Sequence, residues 1–318
     1  MLLNSKKILF VDTVHPILEE RLTALGYLCE HDLTSHKEKI ASKIENYFGL
    51  VIRSRFPIDI KFIEKAANLK FIARSGAGLE NIDIVYASEK GIKVFNSPEG
   101  NMDAVGEQAI GMLLMLFNQL KKGDTEVRKG VWDREGNRGL ELAEKTVGII
   151  GYGNMGKTFA QKLSGFGCNV IAHDKYKIGF SDRFVTSVSL DEIFEKTDVL
   201  SIHLPLSEET HHYVNEVFLK KFKKPIYLIN TARGNNVSVA GLVKSLKNKT
   251  VLGACLDVLE YETKSFETIN SEELPEDFKY LAKSEKVILS PHVAGWTKES
   301  YAKLSSFLAD KIQASFSA

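Results

Sequence analysis

The hexapeptide GYGNMG, residues 151–156, follows the apolar run TVGII and opens into KTFAQKLSGFG. A short apolar run, a Gly-x-Gly-x-x-Gly turn and a helical pattern in that order describe a strand, a phosphate-cradling loop and a helix. Gly151 permits the tight turn, Gly153 lets the backbone approach a pyrophosphate, and Gly156 lets helix and strand pack closely. The helix N-terminus then offers amides and a positive dipole end to the phosphates, which brings Tyr152, Asn154 and Met155 into the same cofactor site. The next apolar run, NVIAHD, ends on Asp174, eighteen residues beyond Gly156. A carboxylate there accepts from a ribose 2′-hydroxyl and repels a 2′-phosphate, which favours NAD over NADP. Lys175 beside it softens that preference.

The turn stands mid-chain, with strand and helix patterns on both sides. Before it, the β-rich runs KILFVD, LVIRS, KFIARSG and KVFNSP are separated by helical patterns such as HPILEERLTALG, where Ile17, Leu18, Leu22 and Leu25 recur and Gly26 ends the segment. After Thr146 come TVGIIG, NVIAHD, DVLSIHLP, IYLINTAR, VLGACLDV and KVILSPH. Strands separated by helices imply parallel pairing and right-handed crossovers. The expected fold class is α/β, with two doubly wound parallel-sheet domains. Between the two series, NMDAVGEQAIGMLLMLFNQLKKG reads as one long helix, apolar on more than one face, that crosses between domains, meets a partner subunit or is a core helix of a monomer. KESYAKLSSFLADKIQASF reads as a final amphipathic helix, and YETKSFETINSEELPEDFKY as an acidic surface loop with a helical turn.

At 318 residues the chain exceeds the size of a single growing core, so two domains are expected. A net charge of +1 gives no reason to expect nucleic acid or an anionic membrane as partner. The longest apolar run, AIGMLLMLF at 109–117, is too short to span a bilayer, and MLLNSKKILFVD lacks the features of a signal peptide. Cys29, Cys168 and Cys255 are odd in number and lack C-x-x-C spacing, so they read as buried reduced thiols. These features point to the cytoplasm, and no metal is called for.

Three further signals close predicted strands, where open α/β sheets hold their ligands. INTARG carries Arg233, LDVLEYE carries Asp257 and Glu262, and SPHVAGW carries His292. Each has a bland alternative as a surface ion pair, a solvated loop acid or a turn. Behind a dinucleotide turn they form a coherent set. Oxidising a 2-hydroxy acid needs a base for the hydroxyl proton, and imidazole oriented by a carboxylate supplies one. A guanidinium can hold the substrate carboxylate at two points and polarise the carbonyl oxygen.

Together, EKTVGIIGYGNMG, HLPLSEETHHYVN, INTARG, GACLDVLEYE and SPHVAGWT resemble the D-isomer-specific 2-hydroxyacid dehydrogenase family, in order over most of the chain. The resemblance implies that Arg233 binds and polarises the substrate, that Glu262 partners His292, and that His292 is the acid/base. It implies that Asp257 meets the nicotinamide carboxamide. It also implies that His203, Leu204, Pro205, Thr210, Thr231, Ala232, Ala294 and Gly295 line the cofactor site. The family's arrangement implies a Rossmann NAD-binding domain, residues 101–289, inserted into a flavodoxin-like substrate domain built from residues 1–100 and 290–318. The cleft between them is expected to close on substrate, and the long helix resembles the family's dimer-forming element. Two positions depart from the pattern: Thr263 follows Glu262 where proline is common, and Gly106 stands where alanine is usual.

The first domain should supply the remaining anion contacts. In IRSRF, strand alternation would send Arg53 and Arg55, flanking Ser54, to one side. In ARSGAGLENID, amides of residues 75–78, with Ser75, Gly76 and Ala77, can form an anion nest, and Asn101 joins the substrate set. The Arg-Ser-Arg segment is similar to the phosphate-contacting segment of D-3-phosphoglycerate dehydrogenases. This leads to 3-phospho-D-glycerate as substrate and serine biosynthesis as setting, without the regulatory tail of longer relatives. The alternatives are a glyoxylate or hydroxypyruvate reductase, another D-2-hydroxyacid dehydrogenase with an unphosphorylated substrate and these arginines as surface charges, and, in another class, a cofactor-sensing binding protein like the co-repressors of this fold.

Overall fold

The computed structural model describes residues 6–262 and 274–316. Thr263 and the central part of the acidic loop, residues 263–273, lie outside them. The described residues form two compact units, one of residues 6–101 and 296–316 and the other of residues 102–262 and 274–295.

The first unit is built on five parallel strands, β1 (Lys7–Phe10), β2 (Leu28–His31), β3 (Gly49–Ile52), β4 (Phe71–Arg74) and β5 (Lys93–Phe95), in the order β2-β1-β3-β4-β5. That is the flavodoxin-like doubly wound order, with its switch point between β1 and β3. The helix Ile17–Ala24 turns Leu18 and Leu22 into the core, whereas Leu25 lies past its end and is partly exposed. One face of the sheet is covered by the C-terminal helix Lys298–Phe316. Its Leu308, Ala309 and Ile312 are buried among Ile8, Phe10, Leu18, Leu22, Val51 and Phe71. Chain order alone does not define this unit, since its last helix comes from the far end of the sequence.

The second unit holds seven parallel strands, β6 (Thr146–Ile150), β7 (Asn169–His173), β8 (Thr186–Ser187), β9 (Val199–Ile202), β10 (Ile226–Asn230), β11 (Val251–Leu256) and β12 (Val287–Leu289), ordered β12-β11-β10-β9-β6-β7-β8. This is the Rossmann order with a further strand, reversing between β6 and β9. The strands are almost continuously apolar because both faces are covered. On one side lie Ile193, Phe218 and Leu242; on the other lie Ala109, Leu113, Phe117 and Phe159.

The expected single long helix is two. Met102–Phe117 ends at Asn118, and Leu120–Arg128 begins after Gln119, whose φ of 50° is left-handed. The break is fixed by residues 138–140 returning over it: Leu140 N–H donates to Phe117 O, and Gln119 Nε2 donates to Arg138 O. Only Cys255 of the three free thiols is fully buried; Cys29 and Cys168 are partly exposed.

Candidate active site

The ends of six strands in the second sheet stand level. Leu289 pairs with Leu256, Leu256 with Asn230, Asn230 with Ile202, Ile202 with Ile150, and Ile150 with His173. The next residue on each strand is Ser290, Asp257, Thr231, His203, Gly151 or Asp174. Every site residue the sequence singled out in this unit stands in this row or within seven positions after it.

At the switch point, Gly151 has φ 91°, and a methyl group on it would overlap the His203 carbonyl oxygen. A methyl on Gly156 would overlap the carbonyl of Gly151 itself. Gly153, by contrast, has nothing within 4 Å of where a side chain would start, and no side chain caps the helix Asn154–Leu163. Backbone amides therefore face open space at a helix N-terminus, the arrangement a pyrophosphate requires. Asp174 is fixed to the turn, its Oδ2 accepting from Tyr152 N–H at 2.8 Å and its Oδ1 from Tyr176 N–H at 3.0 Å. The Thr231 hydroxyl, buried next to the row, has no hydrogen-bond partner among the described residues. Open space over the turn, a carboxylate at the ribose position and an orphaned hydroxyl together fit a dinucleotide.

Several of the expected cofactor residues have structural duties. The Tyr152 ring is buried, stacks on Phe180 and donates its hydroxyl to Asp182 at 2.9 Å. The His203 ring is buried, shares a hydrogen bond with Ser201 and has its pKa lowered to about 4 by burial, so it is neutral at pH 7. Thr210 braces its own loop by accepting from Ser207 N–H and donating to Pro205 O. What these residues present at the row is backbone.

Asp257 and His292 belong to one hydrogen-bonded loop. Asp257 Oδ1 accepts from the Ser290 hydroxyl at 2.5 Å and Val293 N–H at 3.0 Å, and its Oδ2 accepts from Ala294 N–H at 2.8 Å. The His292 N–H donates to the Asp257 carbonyl. His292 Nδ1 lies 2.6 Å from Glu262 Oε2, and Glu262 Oε1 accepts from Leu259 N–H. A carboxylate only accepts, so Nδ1 carries the proton in this contact. Arg233 follows β10, the neighbour of β11, and its guanidinium donates to Ala232 O. Its loop lies against the Glu262 loop through Gly234, where any Cβ would overlap the Leu259 carbonyl group.

In the first unit the expected pair of arginines is not formed. β3 ends at Ile52 and residues 53–56 bend, so strand alternation does not apply to them. The Arg55 guanidinium donates to the carbonyls of Val11, Asp32 and Ser35. These three bonds make it a structural clamp within this unit. The amides of Arg53, Ser54 and Arg55 all donate to Asp12 Oδ2, a contact the sequence reading missed because it joins residues 41 or more positions apart. Arg53 holds its guanidinium 4.6 Å from the Trp296 ring, and its carbonyl accepts from Arg74 Nε. Beyond β4, Ser75 N–H is spent on Ile52 O, so the nest narrows to Gly76, Ala77 and Gly78, whose amides have no partner among the described residues. Asn101 Oδ1 is likewise buried without one.

The sequence profile described as "D-isomer specific 2-hydroxyacid dehydrogenase, NAD binding domain" matches residues 110–294. The chain belongs to the D-isomer specific 2-hydroxyacid dehydrogenase family. It is 34% identical to a hydroxypyruvate reductase of Thermotoga maritima over 93% of this chain and 95% of that one. It is 32% identical to a D-3-phosphoglycerate dehydrogenase of Archaeoglobus fulgidus, covering 93% of this chain and 55% of that one. A crystal structure of a glyoxylate reductase from Paecilomyes thermophila superposes with a TM-score of 0.86 at 25% identity, over 98% of this chain and 96% of that one. The enzyme is an NAD-dependent D-2-hydroxyacid dehydrogenase. Among the described residues no helix is long and apolar enough to cross a membrane.

The Gly234 contact yields a prediction. Gly234→Ala drives a methyl into the Leu259 backbone, displacing the Arg233 and Glu262 loops together, so kcat should fall by about 10²-fold, the usual cost of misplacing reacting groups by about 1 Å. NADH affinity, measured by fluorescence titration, should stay within about threefold because the glycine turn is untouched. Unchanged kcat would show that the two loops are not coupled.

Proposed function

We propose that this enzyme interconverts 3-phospho-D-glycerate and 3-phosphohydroxypyruvate, the first step of serine biosynthesis, in the cytoplasm and as a homodimer. The observation that carries the chemistry is the 2.6 Å contact between His292 Nδ1 and Glu262 Oε2, at the same edge of the sheet as the dinucleotide turn. His292 Nε2 takes the proton of the substrate 2-hydroxyl, and Glu262 stabilises the imidazolium that forms. Arg233 holds the substrate carboxylate and polarises the oxygen at C2. NAD, when bound, supplies the acceptor for the hydride leaving C2. Residues 151–156 would hold its pyrophosphate and Asp174 its ribose, while His203, Thr231 and Ala232 would line its path with backbone groups. Asp257, with its carboxylate committed to the His292 loop, holds that loop in place, and Ala294 and Gly295 bound the nicotinamide end.

The support for a phosphorylated substrate is Arg53. It is a cation that follows β3, its loop is joined to the 76–78 turn by Arg74, and its position over the Trp296 ring restrains it. A hydroxypyruvate reductase is the second reading. It is favoured by the loss of Arg55 to backbone carbonyls and by likeness to the Thermotoga enzyme over nearly its whole length.

The support for a homodimer is the segment after Phe117. The helix Leu120–Arg128 buries no residue, and Leu120, Val127, Val131, Trp132 and Leu140 are all exposed, more apolar surface than a solvated arm ordinarily shows.

Three outcomes check these readings. His292→Ala should lower kcat by about 10²–10⁴-fold while NADH still binds, the range for loss of an acid/base; near-normal turnover would remove it from that role. Arg53→Ala should raise KM for 3-phosphoglycerate about 10²-fold and KM for glycerate less than threefold, as expected for a charge-assisted phosphate contact, whereas Arg55→Ala should lower Tm. Equal KM changes on both substrates would favour the reductase. Light scattering on the purified chain should give twice the mass of one chain, and Trp132→Glu should halve it; a wild-type monomer rules the dimer out.

A further inference from the structure

The ribose-binding carboxylate has charged neighbours that its sequence context does not reveal. β6 lies between β7 and β9, so the segment after β7 and the loop after β9 flank the glycine turn on either side. Across that space Lys175 Nζ forms an ion pair with Glu209, and the Tyr176 hydroxyl donates to the other oxygen of Glu209 at 3.1 Å. Glu209 is held in register because Thr210, the next residue, is tied to Pro205 and Ser207. Lys177, the second cation of the segment, donates to the Tyr152 carbonyl within the glycine turn. Both lysines that follow Asp174 therefore have partners.

A 2′-phosphate on the adenosine ribose would arrive beside Asp174. Without Glu209, Lys175 would be its natural counter-charge, as the softening expected from sequence assumes. With Glu209 in place, that cation is already neutralised and a second carboxylate faces the incoming dianion. We propose that Glu209 is a specificity-determining residue that acts through Lys175 to exclude NADP(H), adding to the repulsion by Asp174. Exposed ion pairs contribute little to stability, so the pair sets charge at the cofactor's edge and does not hold the fold together. The two acceptor contacts of Glu209 keep that charge in one place.

The test is the dissociation constant of NADH and of NADPH, measured by fluorescence titration without substrate, for wild type, Glu209→Gln, Lys175→Ala and the double variant. Glu209→Gln should tighten NADPH about tenfold, the order expected for removing one charge close to a dianion in a solvated site, and shift NADH by less than about twofold. Adding Lys175→Ala should cancel most of the NADPH gain. The gain should also shrink in high salt. Unchanged NADPH affinity in Glu209→Gln overturns the proposal. So does an equal change for both nucleotides, which would make the pair a strap over the adenosine. A gain that survives Lys175→Ala overturns the route through Lys175.

Discussion

Asp257 is almost wholly buried, and burying a carboxylate is costly unless donors surround it. Here three do, and all of them come from residues 290–294. The loop that carries His292 is thus organised around a charge it cannot leave. This accounts for the backbone of His292, whose φ of 54° is left-handed and costs a non-glycine residue about 1–2 kcal/mol. Such a conformation persists where the surroundings over-determine it. The result is direction, because the backbone of this loop holds the imidazole against Glu262.

The carboxylate can organise that loop because the sheet ends level. In a parallel sheet all strands between crossover helices point one way, so the first polar residue after each apolar run reaches the same edge. For this reason much of the second unit was legible in the sequence. Runs such as TVGII, NVIAH and IYLIN are buried strands that stop where composition changes, and the chemistry stands immediately past the stop. Where composition gave no such change, the reading missed the element. β2 is LCEH, with no buried face, and β8 is two residues at the sheet's edge. The helix break at Gln119 escaped notice because the residues that impose it lie some twenty positions further on.

The candidate site shows the same divide between local and distant causes. Arg233, Glu262 and His292 were recognisable as strand-end residues of suitable chemistry, and the contact of the last two follows from neighbouring strands in register. Arg55 carries the same chemistry in the same sort of position, yet three carbonyls from 20 to 44 residues away take its donors. Lys175 looked like a cation available to a phosphate until Glu209, 34 residues on, neutralised it. Residue type and strand position identify which groups can act. Whether they are already engaged depends on parts of the chain that no local pattern records.

The two sheets make opposite use of the same topological place. Each reverses strand order once, and at that point loops diverge and leave backbone amides exposed, a natural seat for an anion. In the second sheet the seat is the glycine turn, open above Gly153. In the first sheet the amides on the other side of the switch point, those of residues 53–55 after β3, are filled by the carboxylate of Asp12 after β1. An internal anion thus takes the place an external one would occupy, so the first unit cannot bind a phosphate on that backbone. One strand over, after β4, no carboxylate among the described residues accepts from the amides of Gly76, Ala77 and Gly78, which is why the proposed anion contacts fall there and not after β3. A dehydrogenase built from two doubly wound sheets needs only one of them to accept a dinucleotide. Asp12 supplies a physical reason why the first does not compete for it.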